Sequence, residues 1–290
     1  MDVLIGTDEG LFHLSDTGVA PVAPTETTAI DGEWAICEEA DVVSLDSGVT
    51  ASLAPLTAYC VATIGDEVLV GTSAARLYRV SRLGDVAPVD SFDAIPTRDE
   101  WYTPWGGPPD TRSVTVTAEG APLVNVHVGG VWRADGPDGD GWHEVVPVDN
   151  DTHQVLASTD TVVIAAAVGF GMSIDDGRTF RWTDDGLHAS YCRAVAVADD
   201  HVLVTASTGP FTDEGAVYRR PLSSHGPFER CVRGLPERFP FNLDTFHLAA
   251  VGAAVVLGTR DGRLFCSDDA GATWDVALSD LPPVRCVALR

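Results

Sequence analysis

The chain has 290 residues, with 18 basic against 43 acidic side chains and a formal net charge of −25. Every basic residue is an arginine, and no lysine occurs. That balance excludes a phosphate-binding basic stripe, and with it nucleic acid as a partner. No apolar run approaches the roughly 20 residues of a membrane helix, and no membrane partner is expected. Two readings fit the charge: a surface that attracts cations or basic proteins, and adaptation to a salt-rich cytoplasm. At ~1 M salt the Debye length is only ~3 Å, so the self-repulsion is tolerable there.

Met1-Asp2-Val3-Leu4-Ile5 runs directly into a strand pattern without a basic start, so a cytoplasmic protein is expected. Apolar runs stay short along the whole chain: Val3-Leu4-Ile5, Glu67–Val70, Val162–Ala165 and His201–Val204. Gly, Asp, Pro and Ser clusters flank each run, and no segment shows helical spacing. This pattern predicts an all-β chain of many short strands.

Equivalent strand ends fall at Gly6, Cys37, Gly71, Val126, Ala166, Ala206 and Gly258. They define seven units averaging about 41 residues, the length of one four-stranded propeller blade. A second register supports the count. Inner strands carry small residues in the steps Cys60-Val61-Ala62, Cys192-Arg193-Ala194 and Cys286-Val287-Ala288, with looser copies such as Arg112-Ser113-Val114. The six cysteines show no C-x-x-C spacing, so buried thiols packing as small apolar groups are expected rather than zinc ligands or disulfides. The chain begins on a second strand and ends on an inner one, Val284–Leu289. The expectation is therefore one domain over residues 1–290: a seven-bladed β-propeller of four-stranded antiparallel blades, closed by the C-terminal strand joining the N-terminal blade.

Two units carry extra length. One insertion covers about Ser91 to Asp110 and includes Trp101, Tyr102 and Trp105. The other excess is split between Thr208–Gly215 and Glu237–Asp244. Insertions on a rigid scaffold are where function concentrates.

The turns Ser267-x-Asp269-x-Gly271-x-Thr273-Trp274 and Ser173-x-Asp175-x-Gly177-x-Thr179-Phe180 share one pattern, with a decayed copy in Asp135–Trp142. These turns resemble Asp-box (BNR) repeats, and the chain resembles the broad group of BNR, WD40 and YVTN-like propellers. That group includes sialidases, sortilin-type receptors, some glycosidases and photosystem-assembly factors. The resemblance implies that the boxes lie on blade edges remote from any ligand. It does not carry sialidase chemistry, because no Arg-Ile-Pro-type motif opens the chain and seven units exceed the usual six blades.

Two kinds of loop are expected to share one end of the blades: those leading into each inner strand and those following each second strand. Sorted this way, the unusual residues gather at a channel mouth formed by blades 4 to 7. The candidate ligand-binding residues are Trp105, Asp110, Arg112, His127, His153, His188, Tyr191, Arg193 and His247. His201 is placed near the same end. Several alternatives stand beside one another. His127, His153 and His188 either ligate a metal with Asp110 or Asp244, or cap loops and fill gaps between blades; no metal is assigned. Arg112 and Arg193 bind an anion or pair with neighbouring carboxylates. Trp101 and Trp105 stack on a sugar ring or hold down the insertion. The function expected is a scaffold for a small molecule or a protein partner. The alternative is a glycosidase-, lyase- or hydrolase-like enzyme on a carbohydrate or carboxylate substrate, with His153 or His188 as base. Neither a cofactor nor a substrate is named by the residues.

Overall fold

A computed structural model describes residues 1–159 and 161–290. Among the described residues the strands form seven four-stranded antiparallel sheets, the blades of a seven-bladed β-propeller. The first blade takes β1 (Val3–Thr7), β2 (Gly10–Ser15) and β3 (Gly18–Ala23). The second is β4 (Thr27–Asp31), β5 (Trp34–Cys37), β6 (Asp41–Ser44) and β7 (Thr50–Ser52). The third is β8 (Ala58–Ile64), β9 (Glu67–Thr72), β10 (Arg76–Ser81) and β11 (Val86–Pro88). The fourth is β12 (Thr111–Val116), β13 (Pro122–Val126), β14 (Gly130–Ala134) and β15 (Trp142–Val146). The fifth is β16 (Thr152–Ser158), β17 (Thr161–Ala166), β18 (Gly169–Ser173) and β19 (Arg181–Thr183). The sixth is β20 (Tyr191–Ala198), β21 (His201–Ser207), β22 (Ala216–Pro221) and β23 (Glu229–Arg230). The seventh is β24 (Leu248–Val251), β25 (Ala254–Gly258), β26 (Leu264–Ser267) and β27 (Asp275–Leu278). The last strand, β28 (Val284–Leu289), pairs antiparallel with β1 from Val3↔Leu289 to Thr7↔Val284, so the C-terminus completes the first blade. This joins the ends of the chain in one sheet and leaves the innermost edge of β1 covered.

The chain divides into two compact units. One comprises Met1–Thr28, Ala165–Phe170 and Trp182–Arg290; the other comprises Ala29–Ile164 and Gly171–Arg181. In the first unit the core is Leu203, Val217, Phe239, Leu257, Phe265 and Trp274, with Phe239 and Phe265 meeting edge to face at 5.8 Å. In the second, Phe92, Trp101, Trp132 and Trp142 form an aromatic chain with centroid separations of 4.9–5.8 Å.

Two devices recur. On the inner strands, Cys60 lies opposite Gly71 and Cys286 opposite Gly6. Each thiol donates to a carbonyl of the adjacent inner strand, Cys60 to Thr111 at 3.5 Å and Cys286 to Thr27 at 3.6 Å. A Cβ at Gly71 would lie 2.5 Å from the Cys60 sulfur and 2.8 Å from Thr111 Cβ, so only glycine admits this approach. Burial pushes the Cys60 thiol up to about 12, and these sulfurs are packing groups.

The second device is a clamp. Leu123 and Arg133 are cross-strand partners, as are Leu203 and Arg219. Gly177 of one Ser-x-Asp turn sits on Leu123, and Gly271 of the other sits on Leu203, where an added Cβ would come within 2.8 and 2.5 Å. Arg133 Nε donates to the Asp176 carbonyl at 2.9 Å, while Arg219 donates to the Asp269 and Ala270 carbonyls at 3.2 Å. In the decayed copy Arg79, opposite Leu69, donates to the Pro137 carbonyl.

Inside each turn the bonding is the same. Ser173 donates to Asp175 and accepts from Gly177 N–H, and Asp175 accepts from both the N–H and the hydroxyl of Thr179. Ser267, Asp269, Gly271 and Thr273 repeat every contact. Burial opposes ionisation of Asp175 and Asp269, but the Thr and Ser bonds outweigh it and bring both down to about 2.

Candidate binding site

In the unit built from 29–164 and 171–181, loops following second strands and leading into inner strands are bonded into one surface. Ala58 N–H donates to Glu39 O at 2.6 Å, Ser73 N–H to Thr57 O at 2.8 Å, and His127 N–H to Asp110 O at 2.8 Å. The insertion joins them: Tyr102 N–H donates to Val128 O, and Arg98 reaches the carbonyls of Ala74 and Ala75. Its base is apolar. Trp101 is 5% exposed, packs against Phe92 and Trp132, and carries the Arg98 guanidinium 4.8 Å above its ring. Its tip faces solvent, with Tyr102 at 52% and Trp105 at 64% exposure. Trp101 thus holds the insertion down, while Trp105 stands largely in solvent.

The inner strands present polar side chains through β-bulges. The ladder of β8 slips between Ala58 and Cys60, which re-aims Tyr59; that of β12 slips between Thr111 and Ser113, which re-aims Arg112. Tyr59 is raised above the usual phenol range by partial burial and then by Asp110 and Glu39. Asp110 is raised by partial burial, with Arg112 pulling the other way. Asp110, Arg112 and Tyr59 therefore act on one another.

His127 and His153 come together. Both are buried, and their Nε2 atoms lie 3.8 and 3.7 Å from the two oxygens of Asp151. Asp151 adopts a left-handed conformation (φ 43°) immediately before β16, which turns its carboxylate toward both rings. Asp151 was not among the sequence candidates; its position two residues before His153, after Asp149-Asn150, was the signal.

In the unit of 1–28, 165–170 and 182–290, Arg193 is again a bulge residue, with the β20 ladder slipping between Cys192 and Val195. Its guanidinium pairs with Asp244, donates to Tyr191 Oη at 3.2 Å and lies 5.3 Å above the Tyr191 ring. Arg285, in the bulge of β28, pairs with Asp8 in the same manner. Carboxylate partners thus occupy the two guanidinium groups. His247 is 4% exposed, accepts from Asp244 N–H on Nδ1 and bonds the Val284 carbonyl; burial, with Arg285 adding to it, lowers its pKa. His188 lies with Tyr218 (2.8 Å) and the Glu214 carbonyl (2.9 Å) rather than with Tyr191 or Arg193. Burial and then Arg238 lower its pKa, and both ring nitrogens are engaged. His201 begins β21, at the opposite end of the strand from Ser207, and bonds Asp200 and Arg219; it is not at the mouth. Among the described residues no group of three or more His, Cys, Asp or Glu side chains is arranged to hold a metal.

The split insertion of this unit closes on itself. Gly215 and Phe239 exchange backbone bonds, and Asn242 donates to the Gly209 and Pro210 carbonyls at 3.1 and 2.9 Å while accepting from Ser207. Phe211 stands at the tip, 89% exposed.

No protein family model matches the chain, and no curated protein does. Solved structures of similar fold include YCF48 bound to D1 peptide, at 15% identity and TM-score 0.58 over 88% of this chain and 83% of that one. The RRP9 WD40 repeats align at 14% identity and TM-score 0.65, over 91% and 84% of the two chains. A GH74 enzyme of Niastella koreensis aligns at 13% identity and TM-score 0.61, and the similarity covers 88% of this chain but 45% of that enzyme. At these identities the likeness shows the propeller fold alone.

Proposed function

We propose that the chain is a binding scaffold of the BNR/WD40-like propeller type, docking a protein segment on the loop surface of the unit built from 29–164 and 171–181. One observation carries this reading. The Ser91–Asp110 insertion is anchored by buried Trp101 and Phe92, yet its tip holds Tyr102 and Trp105 in solvent. A rigid base under exposed aromatics presents large apolar area at low entropic cost. That a propeller of similar fold, YCF48, was solved with a peptide supports the same reading. We further propose a single domain, since β4, β17 and β18 each contribute residues to both compact units. A salt-rich cytoplasm accounts for the −25 charge and the absence of lysine.

The test is a double variant, Tyr102→Ala with Trp105→Ala, in a peptide-array binding measurement. Loss of array binding with an unchanged melting temperature supports the docking surface. Retained binding overturns it. A second reading, hydrolysis or elimination on a carbohydrate or carboxylate substrate, draws on Asp151 between His127 and His153. His153→Gln would abolish turnover of a xyloglucan or uronate substrate if it held, and wild-type protein inert on both classes would remove it.

A further inference from the structure

The bonded loop surface of the 29–164 and 171–181 unit combines exposed aromatic rings with an excess of carboxylates. Glu38, Glu39, Asp99, Glu100 and Asp149 are exposed there, and Asp110 is partly exposed. The cations at this surface have carboxylate or backbone company. Arg98 is half-buried, stacked on Trp101 and bonded to the Ala74 and Ala75 carbonyls, and Arg112 sits beside Asp110. Tyr59 lies within the field of both Asp110 and Glu39. The same loops carry Tyr102 and Trp105 at 52% and 64% exposure.

We infer that this surface takes a lysine- and arginine-bearing peptide segment, whose cationic side chains stack on Trp105 and Tyr102 and pair with the surrounding carboxylates. The inference rests on the docking reading above and names the partner's chemistry. Aromatic faces attract cations through their quadrupole, and the attraction grows as the pair is desolvated. The chain's overall charge alone would attract any basic segment at low salt. At ~1 M salt, however, the Debye length of ~3 Å removes long-range steering and leaves close contacts such as ring stacking to discriminate. A second copy of this chain, equally acidic, fits the surface poorly, as does an acidic segment.

Fluorescence anisotropy with three labelled dodecapeptides of matched length tests the inference: one alternating Lys or Arg with Gly and Ser, one with Gln at the charged positions, and one with Glu. Binding is measured at low salt and at ~1 M salt. The basic peptide is expected to bind the wild type, and Tyr102→Ala with Trp105→Ala to weaken it at least about 10-fold. Neither substitution changes the charge, so unspecific attraction is the same in both proteins. Equal binding of the basic peptide to wild type and double variant overturns the inference. Binding of the Gln peptide as tightly as the basic one, with loss in the double variant, overturns the basic partner but leaves the docking surface standing. Failure of all three peptides to bind the wild type overturns both.

Discussion

The two insertions solve the same problem by different means. Ser91–Asp110 is fixed by apolar burial, with Phe92, Trp101, Trp132 and Trp142 in ring contact and Arg98 laid over Trp101. Of the pair Thr208–Gly215 and Glu237–Asp244, the second segment buries Phe239, Phe241 and Leu243 in the core, while the first is held to it by hydrogen bonds, through Asn242 and the Gly215–Phe239 bridge. Both leave an aromatic at the tip, Trp105 in one and Phe211 in the other. An apolar anchor draws on area removed from water and loses stability in proportion when truncated. A hydrogen-bonded anchor exchanges water bonds for internal ones, so its net stabilisation is small, although an orphaned partner is costly. The first insertion is therefore a stability element that carries a display surface, and Thr208–Gly215 is a segment latched by hydrogen bonds onto the core-anchored Glu237–Asp244.

The sharpest way to break this contrast is Trp101→Ala. Loss of a fully buried indole from a packed aromatic chain is expected to cost about 3–5 kcal/mol, read as a fall in the urea midpoint. A cost under about 1 kcal/mol would make the insertion a passenger on the blade. Asn242→Ala comes next, at about 1–3 kcal/mol, because the Pro210 carbonyl loses its Asn242 donor while Gly209 O and the Ser207 hydroxyl are left with their longer bonds at 3.3 and 3.4 Å. Its specific signature is faster amide exchange and proteolysis within 208–214. Unchanged protection there would refute the latch.

A pH titration sharpens the contrast in a graded way. The folded pKa values of His188 and His247 are depressed, so their neutral forms favour the native state above the free value of about 6.5. Stability from these groups falls as pH drops below that value, and both belong to the unit that holds the latch. Asp175 and Asp269 are held near 2, against about 3.9 in an unfolded chain, so their contribution is present above pH ~4 and disappears between ~4 and ~2. Two acid-induced losses, one beginning below pH ~6.5 and one below ~4, are expected from the melting temperature in matched salt. Asp175→Asn should diminish only the second. The smallest effect is expected from Trp105→Ala, within about 0.5 kcal/mol of wild type, since a side chain left mostly in solvent contributes little to folding. A larger loss would make Trp105 an anchor like Trp101.

Much of the architecture was legible in the residues. Short apolar runs at an interval of about 41 residues gave seven blades, because a four-stranded sheet needs that much chain. The terminal strand Val284–Leu289 lacked a sequential partner and pairs with Val3–Thr7 as expected. The Cys60 and Cys286 steps marked inner strands because a thiol opposite glycine is what the close approach admits. The site candidates were legible only as a group of loops. His127 and His153 share Asp151, but His188 turns to Tyr218 and Glu214, and His201 lies at the other end of its strand. Loop position predicts which end of a blade a residue occupies; it cannot predict which neighbour satisfies its side chain.

The sequence alone determined the fold class, the blade count, the means of closure and the two Ser-x-Asp turns. Each follows from local periodicity and turn chemistry, which act between residues close in the chain. Tertiary structure decided the rest. It placed β-bulges under Tyr59, Arg112, Arg193 and Arg285, and gave Arg193 and Arg285 carboxylate partners in Asp244 and Asp8. It buried Trp101 and exposed Trp105, four residues apart in one insertion. Those outcomes depend on ladder slips and on packing against distant strands, and neither leaves a periodic trace in the residues that undergo it.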